Sequence, residues 1–263
     1  MPIPEARSLA VFCDFENIAL GVREAKYAQF DMDKVLERLL LKGSIVVKKA
    51  YCDWERYKEF KTAMHAASFE MIEIPHLRQS GKNSADIRMV VDALDLCYTK
   101  EHVDTFVIVS GDSDFSPLVS KLRENAKTVI GVGVKNSSSD LLINNCDEFI
   151  YYDDLVRQDE QKRRAAKKRR EAAPAGEEKS SDKKQEAFDV VLETLNALIA
   201  ERGAEEKIWG SMVKQALKRR KPGFNESYYG FRAFSDLLEE MQQKGLVKLD
   251  PDEKSGGYLI RPA

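Results

Sequence analysis

The chain has 263 residues, 43% hydrophobic and 33% charged, which excludes a disordered chain and leaves room for one large domain or two smaller ones. With 42 Lys and Arg against 44 Asp and Glu, the net charge of −2 gives no bulk sign of a nucleic-acid coat or an acidic tail. The distribution is uneven: residues 1–155 hold 19 basic and 25 acidic side chains, residues 156–183 hold 10 and 6, and residues 184–263 hold 13 and 13.

Over the first 155 residues, β-branched runs alternate with amphipathic stretches, which predicts an α/β domain with a mostly parallel sheet covered on both faces. Strands are predicted at Leu9–Asp14, Ser44–Cys52, Phe69–Pro75, Thr105–Ser110, Thr128–Val134 and Glu148–Tyr152. Helices are predicted at Asp31–Leu41, Trp54–Ala67, Ala85–Tyr98, Ser116–Glu124 and Ser139–Asn145. In the third of these, Ile87, Val90, Val91, Leu94 and Tyr98 recur at helical spacing and predict its buried face, with Asp86 at its flank.

Residues 157–183 are poor in hydrophobics, rich in charge and broken by Pro174 and Gly176, so residues 156–183 are expected to be a basic linker. Within it, Lys162–Arg170 carries seven cations in nine residues, suited to tracking phosphates if flexible, although a solvated helix is the plainer reading. The apolar period returns in Ala187–Ala200, Ser211–Lys218 and Gly230–Gln242, followed by a predicted hairpin of Leu246–Leu249 and Tyr258–Ile260. Three helices and a hairpin over residues 184–263 outline a winged helix-turn-helix module. The four cysteines are far apart with no CxxC pair, which predicts reduced thiols and a cytoplasmic protein. The first residues lack the pattern of a signal peptide, and no run is long enough to span a membrane.

In an open α/β sheet, functional groups gather at the carboxyl ends of the strands. The first strand runs from LAVFC into Asp14, Phe15, Glu16 and Asn17, and the fourth from TFVIVS into Gly111, Asp112, Ser113 and Asp114. Singly, each acid is explained as a helix cap or turn residue. Together, two strand ends loaded with oxygen ligands, plus Asp86, form a carboxylate set suited to Mg²⁺ or Mn²⁺ and not to zinc. The three histidines have no metal-ligand spacing. Other phosphate chemistries fit less well. The Asp-x-Asp of a haloacid-dehalogenase-type phosphatase is broken by Glu16, Gly131-Val-Gly133 lies inside a strand, and there is no GxxxxGK[ST] loop.

The segments VFCDFENIA, GKNSADIRMVVDAL and FVIVSGDSDFSPLVSKLRE, in this order, resemble the NYN domain of the LabA-like group, a branch of the PIN-like nucleases, over about residues 7–155. The resemblance implies a Rossmann-like sheet with clustered acids that bind divalent metal and cleave RNA. By motif it implies Asp14, Asp86, Asp112 and Asp114 as metal ligands and catalytic residues, and Asn17, the amide beside the first-strand acid, as a further catalytic residue. Lys82 and Asn83 precede Asp86 and are candidates for holding a phosphate, although a solvated loop would look the same.

Trp209–Val247 resembles an OST-HTH or LOTUS domain, which implies binding of RNA or of a protein partner. Lys214, Lys218, Arg219, Arg220 and Lys221 make a basic helix end near Tyr228 and Tyr229, able to grip phosphates and stack bases, while compensation of the helix dipole explains one or two of these charges. The sequence therefore predicts a nuclease domain at 1–155, a linker at 156–183 and an RNA-recruiting domain at 184–263. The alternative is a catalytically silent adapter for RNA or protein.

Overall fold

The computed structural model describes residues 7–27, 29–74, 84–172, 179–203, 206–252 and 257–263; at 162, 163, 165–172 and 179–182 it describes the backbone alone. The chain divides into two compact units, one spanning Ala6–Glu171 and the other containing Ala172–Ala263.

In the first unit, β1 (Arg7–Asp14), β2 (Gly43–Cys52), β3 (Glu70–Glu73), β4 (Thr105–Val109), β5 (Thr128–Gly133) and β6 (Glu148–Tyr151) form one parallel sheet in the order β3-β2-β1-β4-β5-β6. The helices are α1 (Phe15–Glu24) and α2 (Met32–Lys42) between β1 and β2, α3 (Lys58–Ala66) before β3, α4 (Ser84–Thr99) before β4, α5 (Ser116–Glu124) and α6 (Asp140–Asn145) around β5, and α7 (Tyr152–Ala172) after β6. Strand order reverses between β1 and β4, which opens a crevice beyond their carboxyl ends. The predicted α/β class and parallel sheet are thus present.

Alternation along β1 builds two cores. Leu9, Val11 and Cys13 face the side holding Phe15, Val35 and Trp54, while Ala10 and Phe12 face the side holding Met89, Phe106 and Leu118. Both faces of the central strands are buried, so their sequences read as continuous apolar runs. The Gly131-Val132-Gly133 segment is a packing notch, since a Cβ on Gly131 would lie 2.3 Å from the Phe149 ring.

Three expectations need correction. α1 was not anticipated: the chain passes from strand to helix without a break because Asp14 itself caps α1. The buried face of α4 is Met89, Ala93 and Cys97, with Val90 and Leu94 of the expected stripe packed beside it against the core, whereas Ile87, Val91 and Tyr98 are 63%, 55% and 59% exposed. Ile87 and Val91 lie about 200° around the helix from Met89, and the small Ala93 and Cys97 face the sheet. The expected linker, finally, is helical over its described residues, 156–172 and 179–183, in keeping with the solvated-helix reading of its basic run. Leu155 is buried in the first unit, the basic run lies on α7, and α8 (Lys179–Arg202) begins before residue 183. Its Ala, Lys, Arg, Glu and Gln are strong helix formers, and Glu160 pairs with Arg164 one turn on, so the helix does not require a core of its own.

The second unit holds α8, α9 (Gly210–Arg220), a 3-10 turn at Glu226–Tyr229, α10 (Phe234–Gln243) and an antiparallel hairpin of β7 (Val247–Asp252) and β8 (Gly257–Pro262). Trp209 bridges to Leu259 of the hairpin. Phe188, Leu195, Leu217, Phe234 and Leu237 lie in its core. Gly230, with φ +87, ends the 3-10 turn, so α10 begins at Phe234 and not at Gly230. Among the described residues, no helix is long and apolar enough to cross a membrane.

Candidate functional site

A cavity of about 230 Å³ opens at the carboxyl ends of β1, β2, β3 and β4, lined by Asp14, Glu16, Asn17, Asp53, Asp86 and Asp112 and walled by Leu20, Tyr51, Cys52, Ile74 and Ala85. Asp14, only 7% exposed, accepts the Asn17 N–H at 3.3 Å on Oδ1 and the Ser110 hydroxyl at 3.1 Å on Oδ2. Ser110 Oγ in turn accepts the Asp112 N–H at 3.2 Å, so a single buried hydroxyl ties the two strand ends together. Ser110 was not singled out in sequence, although it stands in the SGDSDF run that carried the resemblance.

The Asn17 side-chain carbonyl accepts the Gly111 N–H at 2.8 Å, a second link between α1 and the loop after β4. Gly111 is required there: a Cβ would lie 2.5 Å from the Ser137 carbonyl oxygen. Asp86 comes from the first turn of α4, seven residues before Ala93 and so on nearly the same helical line, which turns it towards the sheet. Asp112 caps the 3-10 turn Ser113–Phe115 by accepting the Asp114 N–H at 3.0 Å. The cap reading and the site reading both hold for this residue. Asp114 is exposed and does not line the cavity.

The carboxylates disturb one another. Burial, then the neighbouring Asp86 charge, pushes Asp14 up to about 7. Burial, then Asp112, Asp114 and Glu16, pushes Asp86 up to about 6. At the rim, Arg56 pairs with Glu16 at 3.2 Å. Asp92 points away from the cavity and binds Tyr51 Oη at 2.8 Å, Arg88 Nε at 3.0 Å and Lys49 Nζ at 3.4 Å. Among the described residues, no three His, Cys, Asp or Glu side chains are placed to hold a metal ion, so the acids ring a shared space without closing on one point. As donors they fit a hard divalent cation: all are carboxylates, and their mutual repulsion is what a cation would relieve.

Residues 8–153 match the family model of the NYN domain. This chain belongs to the NYN domain family. The chain is similar, at 30% identity over 125 residues, to an uncharacterized protein, MJ0482, of Methanocaldococcus jannaschii, covering 48% of this chain and 49% of that one. The chain thus spans about half the length of the curated relative it matches. It is also similar to the crystal structure of a protein of unknown function, VPA0982, from Vibrio parahaemolyticus, with 27% identity and a TM-score of 0.52 over 59% of this chain and 98% of that one.

Outside the acids, the candidate residues divide. Lys82 and Asn83 lie outside the described residues. In the second unit, Arg220 is a correction: its side chain is 5% exposed and bound to Glu193 at 2.9 Å and Thr194 Oγ1 at 3.2 Å, because the last turn of α9 packs on α8. Lys214 pairs with Glu226 at 2.9 Å and lies over the Phe234 ring. Arg219 is half-buried, and Lys218 and Lys221 are exposed. Tyr228 is 62% exposed and stands edge-on to Tyr229, with Lys183 4.8 Å from its ring centre. Lys183 was not anticipated, since nothing in its local sequence distinguishes it from its charged neighbours.

Proposed function

We propose that this NYN protein is a metal-dependent endoribonuclease of the LabA-like group, hydrolysing RNA phosphodiesters at Asp14, Asp86 and Asp112. The observation that supports this best is the convergence of those three carboxylates on one cavity at the strand-order reversal, two of them with raised proton affinity. Mg²⁺ or Mn²⁺ bound there would supply an acidified water and neutralise phosphate charge. Ser110 and the Asn17 N–H hold the Asp14 carboxylate in one orientation. Asn17 fixes the Gly111 backbone and so positions Asp112. Leu20, Tyr51 and Ile74 contribute apolar surface to the cavity wall. Asp114 acts on Asp86 by charge from outside.

In this reading the second unit is an OST-HTH or LOTUS domain that recruits RNA through Lys218, Lys221, Lys183, Tyr228 and Tyr229, helped by the basic run on α7. Three helices followed by a hairpin, with an exposed ring beside a cation, support that assignment. An NYN domain with 19 basic against 25 acidic side chains over residues 1–155 gains from such help in approaching a polyanion.

The purified full-length protein is tested on labelled single-stranded and structured RNA with Mn²⁺, with Mg²⁺ and with chelator. Cleavage that requires metal supports the reading. A second reading, a silent RNA- or protein-binding adapter, is favoured by the absence, among the described residues, of three acids placed to hold an ion; binding without cleavage under any metal would establish it.

A further inference from the structure

A second cavity, of about 300 Å³, lies beside the acidic one and shares Leu20 as a wall. Its other lining includes Arg23, Gln29, Tyr57, Glu59 and Phe60. Along α1, Asn17, Leu20 and Arg23 follow at three-residue spacing, so Arg23 lies about 9 Å further along the helix than Asn17. The recess is firmly built. The Tyr57 ring is edge-on to Phe15 at 5.8 Å and near Phe60 at 6.4 Å, and the Gln29–Asp31 segment is held by the Tyr152 hydroxyl.

Among the described residues, the side chains of Arg23, Tyr57 and Glu59 have no hydrogen-bond or ion-pair partner. Arg23 is exposed in the last turn of α1 and has no carboxylate partner among the described residues. A cation there suits the helix dipole, but the dipole explains neither the cavity nor the rings. The Tyr57 hydroxyl has no hydrogen-bond partner among the described residues, and burial raises it to about 12, so it stays a donor at neutral pH. Glu59, also unpaired among the described residues, repels a phosphate and leaves that role to Arg23.

We infer that this recess is a subsite for the nucleotide next to the scissile phosphate of single-stranded RNA, with the base on Tyr57 and Phe60 and its phosphate on Arg23. A ring packed against Phe15, a cation with no carboxylate partner among the described residues and an amide within one recess match the three parts of a nucleotide, and the size admits one unstacked base and not a duplex. This rests on the acidic cavity being the nuclease centre, because that places the neighbouring nucleotide against Leu20.

The test uses the full-length protein with Arg23→Gln and, separately, Tyr57→Leu, which keeps an apolar group against Phe15. Steady-state cleavage of a single-stranded RNA octanucleotide in Mn²⁺ is measured alongside anisotropy of the same RNA in chelator. Expected are a KM raised about fivefold or more with kcat little changed, and for Arg23→Gln a binding salt slope shallower by about 0.7. Unchanged KM and unchanged binding in both variants, with wild type cleaving, would overturn the subsite and leave the nuclease reading standing. If wild type does not cleave, the nuclease reading fails. The recess then remains a nucleotide site for single-stranded RNA, no longer one beside a scissile phosphate, only if both variants still weaken binding in chelator, and is overturned if they do not.

Discussion

Asn17 and Gly111 are joined by a hydrogen bond of 2.8 Å from the glycine N–H to the asparagine side-chain carbonyl, which locks the start of α1 to the loop carrying Asp112. An aspartate would also accept this bond but would add a further charge to a cavity that already lifts Asp14 and Asp86. The Asn17→Ala variant leaves a part-buried N–H unpaired, a cost of about 1–3 kcal/mol. The expected result is a modest fall in urea midpoint and a much larger fall in cleavage, since Asp112 loses its positioning. Loss of stability with full activity would show that the bond serves the fold alone.

Asp112→Asn keeps the side-chain volume and an acceptor for the Asp114 N–H while removing charge from the cavity. Cleavage is expected to fall to background. The metal-free protein should melt at a higher temperature than wild type, because the charge that raises Asp86 most among its neighbours is gone. In wild type, millimolar Mn²⁺ or Mg²⁺ should raise the melting temperature, and this gain should shrink in the variant. Wild-type cleavage rates in Asp112→Asn would remove the acid cluster from the mechanism.

Proton linkage gives a sign. Asp14 and Asp86 bind protons more tightly when folded, at about 7 and about 6, than at their ordinary value of 3.8. Their contribution to stability is therefore complete below about pH 4 and is lost as pH rises through 6 and 7. In chelator, wild type should lose stability across that window relative to an Asp86→Asn variant. Mn²⁺ affinity should rise over the same window as protons cease to compete. Urea titrations at several pH values, with and without metal, check both trends.

The strand ends were legible because a buried parallel strand must be apolar and must leave the sheet abruptly, so LAVFC-Asp14 and TFVIVS-Gly-Asp112 mark the crevice on their own. Neighbours joined only by folding were not legible. Ser110 looks like any strand-end serine until its hydroxyl is seen between Asp14 and Asp112. On α4, Val90 and Leu94 pack against the core as their spacing predicts, whereas Ile87 and Val91, more hydrophobic than Ala93 and Cys97, stand exposed, because the small residues allow close approach to the sheet. Arg220 was grouped with the other cations of KRRK, and only the packing of α9 on α8 separates it from them.

That separation gives the last prediction. If the second unit recruits RNA, its working cations are the exposed Lys218 and Lys221 and the Lys183 beside Tyr228, not Arg220. In the full-length protein, changing Lys183, Lys218 and Lys221 together to Gln should leave the melting temperature nearly unchanged, since exposed charges contribute little to stability. RNA binding should weaken, and its salt slope should become shallower by about 0.7 for each phosphate no longer neutralised. Arg220→Met should do the reverse. It removes hydrogen bonds from a charged donor to Glu193 and Thr194, a loss of about 1.5–3 kcal/mol each at most, while leaving the surface charge that RNA meets nearly intact. Tyr228→Ala, which deletes an exposed ring, separates stacking from charge: it should weaken RNA binding without altering the salt slope. If the triple variant binds RNA as tightly and with the same salt slope as wild type, the second unit does not recruit RNA, and docking of a protein partner becomes the better account of its exposed aromatic surface.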